Sequence, residues 1–160
     1  PDADTMTGTN GADVFVGFEG DDVINAKKGA DTICGGAGAD DITAGFGNDR
    51  VFGGEGADTL RGGNGKDTLN GGKGNDTITA GNGDDTVVAG DGNDVVSGGK
   101  RGDTITGGKG ADTISGNNGN DTLKGGNGND SLDGGAHRDD CIGGAGVDTA
   151  TACETEAGIP

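Results

Sequence analysis

The chain has 160 residues, a formal charge of −17 and 40 glycines, while apolar residues make up only 28% of it and Trp and Tyr are absent. Such acidity excludes the basic patches that bind nucleic acid or anionic membranes, and no apolar run is long enough to span a bilayer. Because so few apolar side chains cannot offset the entropy lost on ordering the chain, another source of folding free energy is required.

In chain order, the sequence divides into three segments. Residues 1–7 precede the repeats, and we expect them to be an N-terminal cap or linker. Residues 8–151 consist of sixteen consecutive nine-residue units without insertion or deletion. A fixed period of this kind predicts a repeat architecture in which the units form one domain. Residues 152–160 are the expected C-terminal cap.

Each unit changes character along its nine positions. Positions one to six are turn-like, because glycines at positions one, two and four permit backbone angles and close approaches that a side chain would block. Position eight is apolar or small throughout, from Phe15 to Ala150, while positions seven and nine are mostly polar or β-branched. This alternation predicts a three-residue strand with one inward side chain per unit.

Strands this short require neighbours in the same register. If two units close one coil of the chain, odd units form one parallel sheet and even units the other, with the position-eight side chains between them. The fold class is then all-β, a solenoid of about eight coils with 18 residues in each, and a length of roughly 35–40 Å. Its apolar interior is thin, so packing alone should not hold it.

Position six is the chemical signature of the repeat, because it is aspartate in all sixteen units. These residues are Asp13, Asp22, Asp31, Asp40, Asp49, Asp58, Asp67, Asp76, Asp85, Asp94, Asp103, Asp112, Asp121, Asp130, Asp139 and Asp148. Stacked coils align them in two columns of mutually repelling carboxylates. Calcium between successive coils would neutralise them, since it accepts six to eight oxygen ligands in flexible geometry, whereas zinc prefers His and Cys.

The units Gly62–Asn70 and Gly71–Thr79 spell the motif Gly-Gly-x-Gly-x-Asp-x-(apolar)-x, which resembles the repeats-in-toxin (hemolysin-type) calcium-binding family over about nine tenths of the chain. The resemblance implies a right-handed parallel β-roll with calcium held by the position-six aspartates and by carbonyls of the glycine-rich turns. It also implies a secreted location, including the bacterial cell surface. The carbonyls carried over belong to Gly54, Gly56, Gly63, Gly65, Gly72, Gly74, Gly126 and Gly128.

Some units depart from the motif. Arg101 and His137 replace the position-four glycine in two odd units, so calcium sites there are expected to be empty or distorted. The first five units are looser, and weaker sites are expected at this end; their departures are Thr9, Phe18, Ala26, Lys27, Lys28 and Ala44. Seven gaps in each column give an upper bound of about 14 calcium ions, and the charge balance suggests fewer tight sites.

The three cysteines are unevenly placed. Cys141 and Cys153 both lie near the C-terminal end, where a disulfide is expected in an oxidising location, with two reduced thiols as the alternative. Cys34 is left over at an outward position nine. It is either a tolerated small residue or the donor of an intermolecular bridge.

The predicted function is therefore a calcium-binding structural module of an extracellular protein that folds when it binds calcium, and not an enzyme. His137 is the single histidine, and no nucleophile or metal-ligand constellation accompanies it. One alternative is a self-assembling extracellular fibre or surface-layer component, built end to end through unpaired terminal strands. Another is ice binding by the position-seven threonines, which are Thr59, Thr68, Thr77, Thr86, Thr104, Thr113 and Thr122.

Overall fold

A computed structural model describes residues 2–157, which form strands joined by short bends. Within this range there is no helix long and apolar enough to cross a membrane. The first nine strands are β1 (Thr5–Thr7), β2 (Val14–Glu19), β3 (Val23–Asn25), β4 (Thr32–Ala37), β5 (Asp41–Phe46), β6 (Arg50–Glu55), β7 (Thr59–Asn64), β8 (Thr68–Lys73) and β9 (Thr77–Asn82). The others are β10 (Thr86–Asp91), β11 (Val95–Lys100), β12 (Thr104–Lys109), β13 (Thr113–Asn118), β14 (Thr122–Asn127), β15 (Ser131–Ala136), β16 (Asp140–Ala145), β17 (Thr149–Thr151) and β18 (Thr155–Ala157).

The strands form two parallel sheets of nine strands each. Odd-numbered strands make one sheet and even-numbered strands the other, so the chain passes from sheet to sheet at every bend. Within each sheet, residues 18 positions apart are paired, as Thr77 is with Val95 and Leu69 with Val87. The predicted coil of two units and the all-β solenoid architecture are therefore confirmed.

The strands are longer than the predicted three residues. Most contain six residues, running from position seven of one unit through position three of the next. The Gly-Gly pair lies inside the strand, where Gly54 pairs with Gly72 and Gly72 with Gly90. Turn geometry is thus confined to positions four to six, because the glycine backbones of adjacent coils pair with each other rather than bending.

The interior is built from three inward-facing positions. Position eight supplies the large side chains, and from Ile24 to Cys141 these are at most 2% exposed. Position one supplies buried Gly or Ala, as at Gly71 and Ala80. Position six places its aspartate on the same inner side. The apolar core is a single file of side chains, which limits the burial that can stabilise it.

The solenoid extends beyond residues 8–151 at both ends. Strand β1 pairs with β3 in the register of positions seven to nine, so Asp4 occupies the place of a position-six aspartate. At the other end β18 pairs with β16, but Thr155 lies opposite Asp140, which is a smaller separation along the chain than in any other strand pair. The last bend is therefore shorter than the others.

The C-terminal end carries the predicted disulfide. Cys141 and Cys153 are bonded, with their Cα atoms 5.9 Å apart. The bond ties the shortened last bend to Cys141, the buried position-eight side chain of β16, and Cys153 packs against the apolar core. Cys34 is a free, partly exposed thiol on β4.

Candidate metal sites

The bends of the solenoid form two edges. We call positions four to six of the odd units the odd-unit bends, which run from 11–13 to 137–139, and those of the even units the even-unit bends, which run from 20–22 to 146–148. Each bend ends in a position-six aspartate whose side chain points inward. From Asp22 to Asp148 these side chains are at most 3% exposed. The repeat thus buries a column of carboxylates along each edge.

One oxygen of each buried carboxylate links neighbouring coils. The backbone N–H of Asp58 donates to Asp76 Oδ1 at 2.8 Å, and the N–H of Asp76 donates to Asp94 Oδ1 at 2.8 Å. The same bond recurs from coil to coil along both edges. It confirms the predicted stacking order, in which Asp67 lies between Asp49 and Asp85.

The second oxygen has no partner. Oδ2 is buried and accepts no hydrogen bond in fifteen aspartates: Asp22, Asp31, Asp40, Asp49, Asp58, Asp67, Asp76, Asp85, Asp94, Asp103, Asp112, Asp121, Asp130, Asp139 and Asp148. Buried polar atoms in native proteins are nearly always paired, and an unpaired ionised oxygen is costly. The arrangement is repeated fifteen times and leaves these oxygens available to a ligand.

At position-one glycines, the unpaired oxygen and a carbonyl of the adjacent coil both lie close to the glycine. A Cβ built on Gly71 would lie 2.3 Å from Asp76 Oδ2 and 2.5 Å from the carbonyl oxygen of Ala89. At Gly17 the corresponding distances are 2.0 Å to Asp22 Oδ2 and 2.3 Å to Gly35 O. Position one is therefore kept small, and it brings together a carboxylate and a carbonyl from successive coils.

The carbonyls predicted from the sequence also face the gaps between coils. The position-two group contains Gly54, Gly63, Gly72 and Gly126, and the position-four group contains Gly56, Gly65, Gly74 and Gly128. A Cβ on Gly72 would lie 2.1 Å from Gly54 O, and one on Gly74 would lie 1.9 Å from Gly56 O. Both residues have positive φ, +113° at Gly72 and +123° at Gly74, so glycine is favoured there for two reasons.

The donor set fits calcium better than zinc. Among the side chains described, those of residues 2–154, no three from His, Cys, Asp or Glu converge on one point. The oxygens close to one another in the gaps are aspartate carboxylates and backbone carbonyls. Calcium accepts such all-oxygen shells of six to eight ligands, and structural zinc sites do not use them.

Asp13 differs from the other fifteen. The backbone N–H and the hydroxyl of Thr9 donate to Asp13 Oδ2 at 2.7 and 3.0 Å. Thr9 stands at position two, where most units have glycine. The protein itself thus satisfies the first carboxylate of the odd-unit edge.

Two carboxylates escaped the sequence analysis. The N–H of Asp4 donates to Asp22 Oδ1 at 2.7 Å, which extends the even-unit column by one coil. Glu154 accepts a hydrogen bond from the N–H of Asp139 and takes the next place in the odd-unit column. The segment Asp4–Thr7 matches positions six to nine of the repeat, so the sequence could have predicted the role of Asp4. Glu154 does not fall at position six of the nine-residue period, because the last bend is shorter than the others.

Burial changes the acidity of the columns. Desolvation raises the pKa of Asp58, Asp67, Asp76 and Asp112 from 3.8 to about 6, and that of Asp103 to about 7, against the opposing backbone hydrogen bond. Repulsion between neighbouring aspartates of the same column adds to the rise. The pKa is also raised, by the same burial, at Asp40, Asp49, Asp85, Asp94, Asp121 and Asp130. Ionising these buried groups therefore costs more than ionising an exposed carboxyl, and a nearby cation would compensate that cost.

The chain matches the family model described as RTX calcium-binding nonapeptide repeat (4 copies) in overlapping segments: 1–33, 26–60, 34–69, 61–96, 88–123, 97–130 and 115–150. No curated protein matches it significantly. The match covers most of the sequence, and it coincides with the parallel solenoid and its aspartate columns. The chain therefore belongs to the RTX calcium-binding nonapeptide repeat family and is a calcium-binding repeat module.

Proposed function

We propose that this module couples calcium binding to folding and serves a structural role in an extracellular protein. In this proposal each calcium ion lies between successive coils. It is held by position-six carboxylates and by carbonyls at positions one, two and four. The chain is unfolded where calcium is scarce and forms the solenoid where calcium is millimolar.

The observation that carries the proposal is the set of fifteen buried, unpartnered carboxylate oxygens. Burying one uncompensated ion costs several kcal/mol, whereas a whole domain is stable by about 5–15 kcal/mol. A single file of apolar side chains cannot offset many such penalties. Calcium supplies the missing charge and joins the coils, so its binding free energy becomes folding free energy.

Three features support an extracellular setting. Calcium sites of extracellular modules bind at about 10⁻⁴–10⁻³ M, so they stay empty where the ion is scarce. The Cys141–Cys153 disulfide is suited to an oxidising compartment. The net charge of −17 gives a chain that remains expanded until the ions arrive.

We assign no catalytic activity to the module. Its repeated carboxylates are buried in the interior of the coils, where a substrate cannot reach them. Their role in the proposal is to hold ions at fixed spacing.

Circular dichroism of the purified chain tests the proposal. The calcium-free chain, prepared with EGTA, should lack β-sheet signal at pH 7.5 and gain it on addition of millimolar calcium. Magnesium at equal concentration is the control and should be much less effective, because it requires a tight octahedron and gives up water reluctantly. Identical β-sheet spectra with and without calcium would overturn the proposal.

End-to-end assembly is a second candidate, favoured by the N-terminal end. Strand β2 is the edge of its sheet and exposes Val14 and Phe18, which are 77% and 75% accessible. An apolar edge strand is a template for pairing with another chain. In calcium, the apparent molar mass from light scattering should rise with protein concentration, and Val14→Lys should suppress that rise. A monomer at all concentrations would exclude assembly and leave the calcium proposal intact.

A further inference from the structure

The two edges of the solenoid differ at position four. All eight even-unit bends have glycine there, with φ between +116° and +153°. A Cβ on Gly92 would lie 1.8 Å from the carbonyl oxygen of Gly74. The odd-unit edge instead has Arg101 and His137 at this position, with φ of +77° and +91°. Side chains here occupy a strained conformation and bring a Cβ towards the gap between coils.

The disturbance reaches the coils on either side of Arg101. Gly83 and Gly119 are the position-four residues directly before and after it in the column, and neither has the left-handed φ seen at Gly65. Their bend hydrogen bonds, from Gly83 N to Lys100 O and from Gly119 N to Ala136 O, are 3.1 and 3.2 Å long. The equivalent bonds at Gly74 and Gly92 are 2.7 and 2.8 Å. The bend geometry is thus altered over three successive coils.

The edges also differ in charge. Positions two to five of the even units carry two lysines, and both are paired with acids of the preceding coil, Lys73 with Glu55 and Lys109 with Asp91. The same positions of the odd units carry Asp84 and six Lys or Arg residues, none of which forms a salt bridge among the side chains described, those of residues 2–154. The six are Lys27, Lys28, Lys66, Lys100, Arg101 and Arg138. Unpaired cations beside the gaps weaken the attraction of calcium to that edge.

We infer that calcium fills the two edges unequally. The even-unit edge is a continuous series of sites, whereas the odd-unit edge is interrupted in the three gaps between Asp85 and Asp139. This inference rests on the proposed function. The sequence predicted empty or distorted calcium sites at the Arg101 and His137 bends, and the structure extends that prediction to the neighbouring bends. As calcium rises, the even-unit edge loads first and the odd-unit edge only in part.

The test restores the motif at the interruption. The double variant Arg101→Gly/Gly102→Asn converts the unit to the common Gly-Asn-Asp bend, which occurs naturally at Gly92–Asp94. Equilibrium dialysis with radioactive calcium counts ions per chain. We expect about two more bound ions than in the wild type, one for each gap that the Arg101 bend borders.

The matched control moves the interruption to the other edge. Gly92→Arg/Asn93→Gly places the Arg101 sequence in the middle of the even-unit edge, where we expect about two fewer ions. If this variant does not fold in calcium, the Arg101→Gly/Gly102→Asn count alone decides. An unchanged ion count and calcium midpoint in that restored variant would overturn the inference. A wild type that folds without calcium would instead overturn the proposed function.

Discussion

The first odd-unit bend and a central even-unit bend each end in a position-six aspartate, but the hydrogen bonding of the two carboxylates differs. In the segment Thr9–Asp13, two donors from Thr9 satisfy Asp13 Oδ2. In the segment Gly72–Asp76, glycine replaces the threonine and Asp76 Oδ2 is buried without a partner. The two bends therefore satisfy the carboxylate differently: Asp13 Oδ2 has donors from Thr9, whereas Asp76 Oδ2 is left available to a ligand.

The backbone shows the same contrast. A Cβ on Gly11 would meet nothing closer than Thr9 Oγ1 at 3.8 Å, whereas one on Gly74 would lie 1.9 Å from Gly56 O. Within residues 2–157 no other odd-unit bend lies beyond the first one, and its geometry is open. Central bends gain close approaches between coils that favour glycine, and they hold a buried carboxylate oxygen without a partner.

The largest effect should come from pH in the calcium-free chain. Burial raises the pKa of Asp67 and Asp76 to about 6 and that of Asp103 to about 7, above the ordinary 3.8. A raised pKa in the folded state means that protonation favours folding at pH 4, and this stabilisation is lost as the pH rises through 6–7. We expect β-sheet signal at pH 4.5 and its loss by pH 7.5.

Calcium should reverse this dependence, because protons compete with the ion for the carboxylates. The midpoint of the calcium titration should rise as the pH falls from 7.5 to 5.5. Calcium must be removed by chelation and gel filtration before the acid experiment, because EGTA binds it poorly in acid. No recovery of structure at pH 4.5 would show that carboxylate charge is not the barrier to folding.

The next largest effect should distinguish Asp76→Ala from Asp13→Ala. Removing Asp76 deletes a carboxylate from two gaps and should lower the calcium-loaded unfolding free energy by about 3 kcal/mol. Removing Asp13 breaks only local hydrogen bonds, at about 1 kcal/mol. Urea unfolding in saturating calcium measures both. Asp22→Ala is expected to fall between them, as it lies near the looser end, and equal midpoints would refute the ranking.

Alanine substitutions at two glycines should give a smaller difference. Gly72→Ala places a Cβ at a positive φ and 2.1 Å from Gly54 O, so we expect a loss of about 2–3 kcal/mol. Gly11→Ala meets open space and should change stability by less than about 0.5 kcal/mol. Thermal unfolding in calcium compares the two. Similar melting temperatures would mean that close stacking of the bends does not limit stability.

The smallest effect is expected from Thr9→Gly, which converts the first bend to the central type. The calcium-free acid form should lose about 1 kcal/mol, because the hydrogen bond from the Thr9 hydroxyl to Asp13 Oδ2 disappears while the backbone N–H of residue 9 remains as a donor. Calcium should recover most of this loss if the freed oxygen becomes a ligand. Loss of the same size with and without calcium would indicate that the first bend has no capacity for an ion.

Much of the fold could be predicted because the period is strict. The coil of two units, the two sheets and the inward position-eight side chains all follow from spacing and alternation. Strand length did not, since glycine disfavours strands and nothing local indicates that Gly71–Gly72 pairs in a sheet. The burial of the aspartates could have been predicted from the same alternation. Positions six and eight and position one of the next unit are two residues apart, so their side chains lie on the same, inner side of the coil. For Cys141 and Cys153 the sequence left a disulfide and two reduced thiols open, and the structure has the disulfide.

The details of the candidate sites depended on contacts between coils. The carbonyl of Ala89 beside Asp76 belongs to the following coil, and only the folded register brings the two residues close. Thr9 as a partner of Asp13 depends on the local bend at the end of the stack. Glu154 was hidden because the last coil is shorter than the repeat period predicts.

From β1 to β17, strand residues pair with their counterparts two units away, and this has a consequence for how such a chain tolerates changes in length. Excising two adjacent units would shorten the rod by one layer and leave every later residue facing the same neighbours. Excising a single unit would move every later unit to the other sheet and the other edge. If the excised unit precedes Arg101, then Arg101 and His137 would move to the edge that now has only glycine at position four. Growth and shrinkage by pairs is therefore the mutational route that preserves the difference between the two edges.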